Sequence, residues 1–148
     1  ARLDLVKGHA NHYDIEADLE NGLLAEIDYA KGTVAPTTDA TKKQVLVASV
    51  AALYDSVDES DYINKVGGFK VRTYELEKGD IFTTTQLDFS GDRASIDVII
   101  KGDYAYAVAG GKLAFSTSEP TASQVFRVVE TTTLNGYPAV AVQVEKED

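Results

Sequence analysis

VFRVVETTTLNGYPAVAVQVE, residues 125–145, is the stretch that decides the fold. Two runs rich in valine, threonine and aromatic residues flank the pair Asn135-Gly136. Such residues favour strands. An Asn-Gly pair between strand-like runs indicates a β-hairpin, because its tight turn needs positive φ angles that asparagine and glycine tolerate. The stretch therefore predicts two antiparallel strands joined by a short turn.

The residues before this hairpin repeat the same scheme of short apolar runs and glycine-containing turns. Period-two patterning and β-branched residues indicate strands rather than helices. The predicted strands are FKVRTYEL (69–76), IFTTTQLDF (81–89), ASIDVII (94–100), YAYAVA (104–109) and KLAFST (112–117).

The first third of the chain is less uniform. In DIEADLENGLLAEIDY (14–29), apolar and acidic residues alternate about Asn21-Gly22, which favours a hairpin, although glutamate, alanine and leucine also suit a helix. Residues 30–44 are polar and threonine-rich and predict a loop. The apolar run 45–54 fits a buried strand or a short helix, and its β-branched start favours the strand.

These patterns predict an all-β fold, or a mainly β fold with minor helix. We expect a single compact barrel- or sandwich-like domain built from hairpins over residues 14–148. Residues 1–13 mix apolar, glycine and histidine positions without a sustained period and predict an extended N-terminal arm.

The composition of the chain excludes several classes of function. The chain has 148 residues, no cysteine and a formal net charge of −10. The missing cysteine excludes disulfides and thiolate chemistry. The acidic balance and scattered basic residues argue against binding to nucleic acid or anionic membrane. The first residues lack a signal-peptide pattern, and no apolar run is long enough to span a bilayer, so we expect the chain to be made and kept in the cytoplasm of the cell that produces it.

Lys-Gly pairs recur along the chain, and two of them extend to Lys-Gly-Asp, at residues 78–80 and 101–103. The tripeptide is similar to the Arg-Gly-Asp adhesion motif, which acts at exposed loop tips. Here apolar residues flank both copies closely. The pattern favours a tight turn in which glycine supplies a positive φ and aspartate accepts hydrogen bonds from backbone donors. An internal duplication of the chain is an alternative interpretation of the recurring Lys-Gly pairs.

Two acidic or histidine-containing clusters could hold a cation. His9 and His12 stand near Asp14 and Glu16, but without a helix the two histidines have no defined geometry, and solvated or interface histidines are the favoured reading. At an interface they would make assembly sensitive to pH.

The second cluster comprises Asp55, Asp58, Glu59 and Asp61. Its spacing does not match an EF-hand calcium loop, so a solvated acidic loop is favoured. Neither a nucleophile elbow nor a phosphate-binding glycine loop occurs in the sequence. We therefore predict a non-enzymatic protein with no cofactor and no metal.

Four segments carry a family resemblance: LENGLLAEIDYAKGTVAP, VLVASVAALYDSVDESDY, FKVRTYELEKGDIFTTTQL and VFRVVETTTLNGYPAVAVQVE. Together they resemble small capsid decoration, or cement, proteins of tailed bacteriophages. The resemblance implies a structural protein on the outer capsid surface of the virion. Such a protein binds across junctions between major capsid protein subunits and could form a homo-oligomer on the lattice. No catalytic motif of the family exists to carry over.

An arm that pairs with a partner would suit this role. Arg2, Leu3, Leu5 and Tyr13 are the candidate capsid-interface residues, the apolar ones as anchors and Arg2 as a polar contact.

Three other functions stay open on the sequence alone. The chain could be another phage head or tail component. It could be a carbohydrate or host-surface binding module, which clustering of Tyr54, Tyr62, Tyr104 and Tyr106 would support. A small hydrolase using His9 or His12 is the least favoured.

Overall fold

The computed structural model describes residues 2–6, 10–15, 18–38, 41–48, 63–64, 70–134 and 136–146. Nearly all regular structure in these residues is β-strand, which confirms the predicted fold class. The strands are β1 (Arg2–Leu5), β2 (Ala10–Ile15), β3 (Leu19–Glu20), β4 (Leu24–Asp28), β5 (Thr33–Pro36), β6 (Val45–Val47), β7 (Ile63–Asn64), β8 (Val71–Glu75), β9 (Ile81–Thr84), β10 (Tyr104–Ala107), β11 (Leu113–Ser116), β12 (Val125–Leu134) and β13 (Tyr137–Lys146).

Six strands form an open antiparallel sheet in the order β1-β9-β13-β12-β10-β11. The predicted hairpin of residues 125–145 is its centre: β12 pairs with β13 from Val125↔Lys146 to Leu134↔Tyr137, and Gly136 has a φ of 84°. Phe82 and Phe126 meet edge to face with ring centroids 5.7 Å apart in the core beneath the sheet. The hairpin prediction is confirmed.

Five strands close into a barrel in the order β2-β5-β4-β6-β8. All its pairs are antiparallel except β2–β5, which is parallel. A second apolar cluster fills the barrel, with Leu19, Val34, Val47 and Val71 almost fully buried. The chain therefore builds two neighbouring cores.

Backbone hydrogen bonds join the barrel to the open sheet. Leu24 N–H donates to the Gly111 carbonyl at 2.8 Å, and Gly110 N–H donates to the Thr37 carbonyl at 3.0 Å. A Cβ atom at Gly111 would collide with the Leu24 carbonyl oxygen. Glycine at position 111 therefore permits the closest approach of the two parts.

The predicted hairpin of residues 14–29 is wrong in its pairing. Gly22 does form a turn, with a φ of 95°, but β3 pairs with β7, and β4 pairs with β5 and β6. The Gly22 N–H donates to the Val47 carbonyl at 2.7 Å, and its carbonyl accepts from the Thr84 hydroxyl at 3.0 Å. The hydrogen-bond partners of this turn are therefore distant in sequence, and the Asn-Gly pattern does not join the two flanking runs into a hairpin.

The predicted loop of residues 30–44 is wrong at Thr33–Pro36, which form β5. Val34 is 1% exposed there, and burying this β-branched residue between β2 and β4 favours a strand. The hairpin turn before β5 uses Gly32, with a φ of 69°. A Lys-Gly pair again stands at a turn.

The predicted strand of residues 94–100 is also wrong, because Ile96–Val98 form a single turn of 3-10 helix. Ile96 and Ile99 both pack in the core beneath the open sheet, and their spacing of three residues matches the repeat of a 3-10 helix. Both edges of the following strand, β10, are occupied by β11 and β12, so the sheet offers no place for another strand there.

The other strand predictions hold over shorter ranges. The run 45–54 is a strand at Val45–Val47, and residues 49–54 lie outside the described chain. The run 69–76 is a strand at Val71–Glu75, where buried and half-buried residues alternate as expected. Residue 69 lies outside the described chain. The runs 104–109 and 112–117 contain β10 and β11.

Candidate protein-binding surface

The N-terminal strand β1 is an edge strand of the open sheet. It pairs with β9 through Arg2↔Thr83, Leu3↔Phe82 and Leu5↔Ile81, and none of the described strands pairs with its other side. Leu3 is 38% exposed and Leu5 is 51% exposed. Among the described strands, β1 is therefore at the end of the sheet and carries two partly exposed leucine side chains.

The pairing register of β1 with β9 shifts between Leu3 and Leu5. The Asp4 carboxylate accepts a hydrogen bond from the Thr83 hydroxyl at 2.7 Å, and Thr83 is fully buried. This polar contact ties the strand to β9 across the irregular pair. β1 is thus attached to the folded body on its inner side.

The opposite edge of the sheet, at β11, is covered. Leu113 N–H donates to the Gln86 carbonyl at 3.0 Å, and Asp88 N–H donates back to the Leu113 carbonyl at 2.8 Å. Asp92 N–H donates to the Phe115 carbonyl at 2.9 Å. The segment 86–92 therefore occupies the outer side of β11, whereas none of the described strands pairs with the outer side of β1.

The structure does not place all four candidate interface residues together. Arg2, Leu3 and Leu5 lie on β1 of the open sheet. Tyr13 lies on β2, opposite Val71, where it is half-buried against the barrel core. The described parts of the predicted arm, residues 2–6 and 10–13, are thus placed within or next to the two sheets.

The histidine and acidic clusters give no candidate site in the described residues. His12 is exposed on β2 opposite Arg72, and Asp14 is exposed at the end of the same strand. Over the described ranges, no three or more potential metal ligands come together. His9, Glu16 and the acidic residues of the segment 55–61 lie outside the described chain.

Both Lys-Gly-Asp segments are tight turns of the same construction. Gly79 and Gly102 have φ angles of 96° and 95°. Asp80 N–H donates to the Glu77 carbonyl at 3.0 Å, and the Asp80 carboxylate accepts from the Glu77 N–H at 2.9 Å. Asp103 makes the equivalent contacts with Ile100, at 3.1 and 3.0 Å. The predicted turn geometry is confirmed.

The carboxylates of these turns are buried. Asp80 is 0% exposed and Asp103 is 5% exposed. A display of the tripeptide at an exposed loop tip therefore does not occur.

Asp103 also forms a bidentate ion pair at the edge of the core. Arg93 donates from Nε and Nη2 to its two carboxylate oxygens at 2.8 and 2.9 Å. Burial alone would raise the pKa of Asp103, but the Arg93 hydrogen bonds and the Ile100 N–H outweigh it and hold the pKa below its ordinary value. The pair anchors the segment 93–103 to the sheet, and sequence patterning did not reveal it.

Two of the four tyrosines proposed for a recognition cluster can be placed. Tyr104 and Tyr106 are alternate residues of β10, and both are half-buried. The Arg127 guanidinium lies over the Tyr104 ring, 4.1 Å from its centroid. Tyr54 and Tyr62 lie outside the described residues.

Comparisons of the chain with protein-family models, with curated proteins and with solved structures found no match in any of the three. In the part of the chain that the structure describes, no helix has the length and apolar character to cross a membrane.

Proposed function

We propose that this chain is a non-enzymatic structural protein of a virion, of the capsid-decoration class that its sequence resembles. In this proposal β1 is the strand that docks on the shell. The position of β1 at the end of the described strand order, with Leu3 and Leu5 partly exposed on it, is the observation that carries the proposal. The occupant we assign to this edge is an extended segment of a major capsid protein subunit.

Strand addition explains how such docking would gain affinity. Main-chain N–H and C=O groups on an open edge pair with an incoming extended segment, and neighbouring side chains supply specificity. Fully burying an exposed leucine contributes at most about 1.5–3 kcal/mol, and Leu3 and Leu5 are already partly covered. A single site would therefore be weak.

A lattice compensates for weak single contacts. If neighbouring copies also contact one another on the shell, a copy that leaves its site is held nearby at a high effective concentration and binds again. The copies are therefore retained more strongly than one site alone would allow. The folded body supports this role, because pairing with β9 and the Thr83–Asp4 hydrogen bond attach β1 to a sheet that is itself joined to the barrel by backbone hydrogen bonds.

The test uses empty shells assembled from the major capsid protein of the genome that encodes this chain. We expect the wild-type chain to sediment with the shells in a saturable manner. Leu5→Asp places a charge beside the β1 edge and is expected to lower the bound fraction at least tenfold. Val98→Asp is the matched control, because Val98 is 45% exposed but lies outside β1, in the 3-10 turn.

Two results would overturn the proposal. One is the absence of saturable binding of the wild-type chain to shells in both their unexpanded and expanded forms. The other is equal loss of binding in Leu5→Asp and Val98→Asp, since that would show that β1 is not the docking strand. Thermal unfolding of both variants verifies that they are folded.

A further inference from the structure

A groove of about 350 Å³ lies between β3, the segment after β9 and the start of β13. Glu20 on β3 contributes one wall, Gln86 and Phe89 in the segment after β9 contribute another, and Tyr137 and Pro138 at the start of β13 complete it. We call these five residues the aromatic groove. Concave surfaces that combine apolar side chains with a few polar groups are common locations for ligand sites.

Two aromatic rings of the groove are exposed. Phe89 is 39% exposed and Tyr137 is 46% exposed, although both residue types gain from burial. Rings that remain accessible in a concave surface provide flat apolar faces on which a ligand can stack. The aromatic groove therefore offers exposed aromatic surface to a ligand.

Anchored backbone holds both rings. The Asp88 carboxylate accepts from the Ser90 N–H at 2.8 Å, and the Asp88 N–H is bonded to the Leu113 carbonyl, so Phe89 lies in a fixed turn. Tyr137 pairs with Leu134 at the tip of the central hairpin. A site whose main chain is already fixed loses less conformational entropy when a ligand binds.

A polar pair completes the groove. The Gln86 amide nitrogen donates to the Glu20 carboxylate at 2.6 Å, and Gln86 is only 8% exposed. The main chain of Gln86 is fixed as well, because its N–H donates to the Thr84 hydroxyl at 3.0 Å. One of the two side-chain N–H groups of Gln86 is bonded to Glu20, so the acceptors of the pair, the Gln86 side-chain carbonyl and the Glu20 carboxylate oxygens, outnumber its one remaining side-chain donor.

From this juxtaposition of two exposed rings and an acceptor-rich amide–carboxylate pair, we propose that the aromatic groove binds a neutral saccharide. The C–H faces of pyranose rings stack on aromatic side chains, and sugar hydroxyls donate to carboxylate and amide oxygens. This activity is separate from docking through β1, which involves other residues.

The chemistry distinguishes a saccharide from the other ligands of aromatic grooves. A proline-rich peptide presents mainly carbonyl acceptors, because proline lacks an N–H, and it needs donors from its receptor. An anionic sugar would meet the Glu20 carboxylate and a chain of net charge −10. Neutral sugars carry hydroxyl donors and avoid this repulsion.

The test is a titration of the isolated chain, followed by NMR of its aromatic resonances. The probes are neutral tetrasaccharides of glucose, galactose, mannose and N-acetylglucosamine, a glucuronate-containing tetrasaccharide, and a proline decapeptide. We expect saturable shifts of the Phe89 and Tyr137 ring signals with at least one neutral tetrasaccharide. We expect no shifts with the anionic sugar or the peptide.

Variants of the groove residues test whether the saccharide binds in the aromatic groove. Phe89→Ala and Tyr137→Ala are each expected to weaken binding at least tenfold, whereas Tyr29→Ala is expected to leave it unchanged. Tyr29 is a matched control, because it is 70% exposed and lies in the turn between β4 and β5. Glu20→Gln, which keeps the shape of the side chain, is expected to weaken binding and to relieve the exclusion of the anionic sugar.

The proposal is overturned if no neutral probe binds the wild-type chain, or if only the decapeptide or the anionic sugar binds. It is also overturned if binding survives Phe89→Ala and Tyr137→Ala, or falls equally in Tyr29→Ala. The ring shifts of the wild-type chain test the site even if a variant does not fold. Capsid binding by β1 could succeed or fail independently of each result.

Discussion

Arg127 and Gln143 lie opposite each other on β12 and β13, and each donates to the glycine carbonyl of one Lys-Gly-Asp turn. Arg127 Nε reaches the Gly102 carbonyl at 3.0 Å, and Gln143 Nε2 reaches the Gly79 carbonyl at 3.2 Å. The two turns are therefore held by equivalent positions of the central hairpin.

The equivalence extends to the main chain. Gly79 N–H donates to the Val144 carbonyl at 2.8 Å, and Gly102 N–H donates to the Val128 carbonyl at 2.9 Å. The strands that follow the turns, β9 and β10, pair with β13 and β12. The centre of the open sheet thus has a local pseudo-twofold arrangement about the Arg127–Gln143 pair.

Replacing these two side chains should have unequal effects. Gln143→Ala is expected to lower the free energy of unfolding by about 0.5–1.5 kcal/mol, the contribution of one hydrogen bond. Arg127→Ala should cost about 0.5–1 kcal/mol more, because it also removes the cation–π contact with Tyr104. The exposed ion pair with Glu145 should add little. Urea unfolding measures both losses, and a smaller loss for Arg127→Ala would contradict this account of the pair.

Gly136 and Gly111 have nearly the same φ angle but different surroundings. Replacing each by alanine therefore distinguishes the cost of backbone strain from the cost of a steric clash. Gly136 has a φ of 84°, and a Cβ atom added there would have no neighbour within 4 Å. Gly136→Ala should therefore cost only the left-handed strain of about 1–2 kcal/mol. Gly111→Ala, at a φ of 86°, should cost a further 1–3 kcal/mol or so, because its Cβ would meet the Leu24 carbonyl. Equal unfolding free energies for the two variants would show that the barrel and the sheet are not in close contact at Gly111.

The Arg93–Asp103 pair should make stability depend on pH in a defined direction. Because the pKa of Asp103 is lowered in the folded chain, the unfolded chain binds more protons in the acid range. The contribution of Asp103 is therefore present above the ordinary aspartate pKa of about 3.9 and is lost as the pH falls through the folded-state pKa.

Asp103→Asn tests this dependence. We expect the variant to be less stable than the wild-type chain at pH 7 and the difference to shrink as the pH falls below about 4. The variant should keep some acid sensitivity, because the pKa values of Asp88 and Asp92 are also lowered, mainly by hydrogen bonds from Ser90 and Thr117. Urea unfolding from pH 7 to pH 3 measures the difference, and a difference that is constant with pH would contradict the assignment.

Sequence patterning predicted the elements whose partners are close in the chain. The hairpin about Asn135-Gly136 and the two Lys-Gly-Asp turns follow from turn chemistry and local alternation, and the structure bears them out. The pattern about Asn21-Gly22 failed because Val47 and Thr84, distant in sequence, provide the partners of that turn.

Surface features were the least predictable from sequence. The aromatic groove combines Glu20, Phe89 and Tyr137 from three distant segments, and no local pattern links them. The exposure of Leu3 and Leu5 likewise depends on the position of β1 at the end of the sheet order. Both features arise from topology, which alternation and turn signals do not specify.

Hydrogen–deuterium exchange of the chain, alone and bound to shells, tests the docking role of β1 most directly. We predict that the backbone amides of residues 2–5 that point away from β9 exchange at least tenfold more slowly on the shell, while those of β11, whose outer edge is already covered, change little. Protection confined to other segments, with unchanged exchange in residues 2–5, would contradict the assignment of β1 as the docking strand.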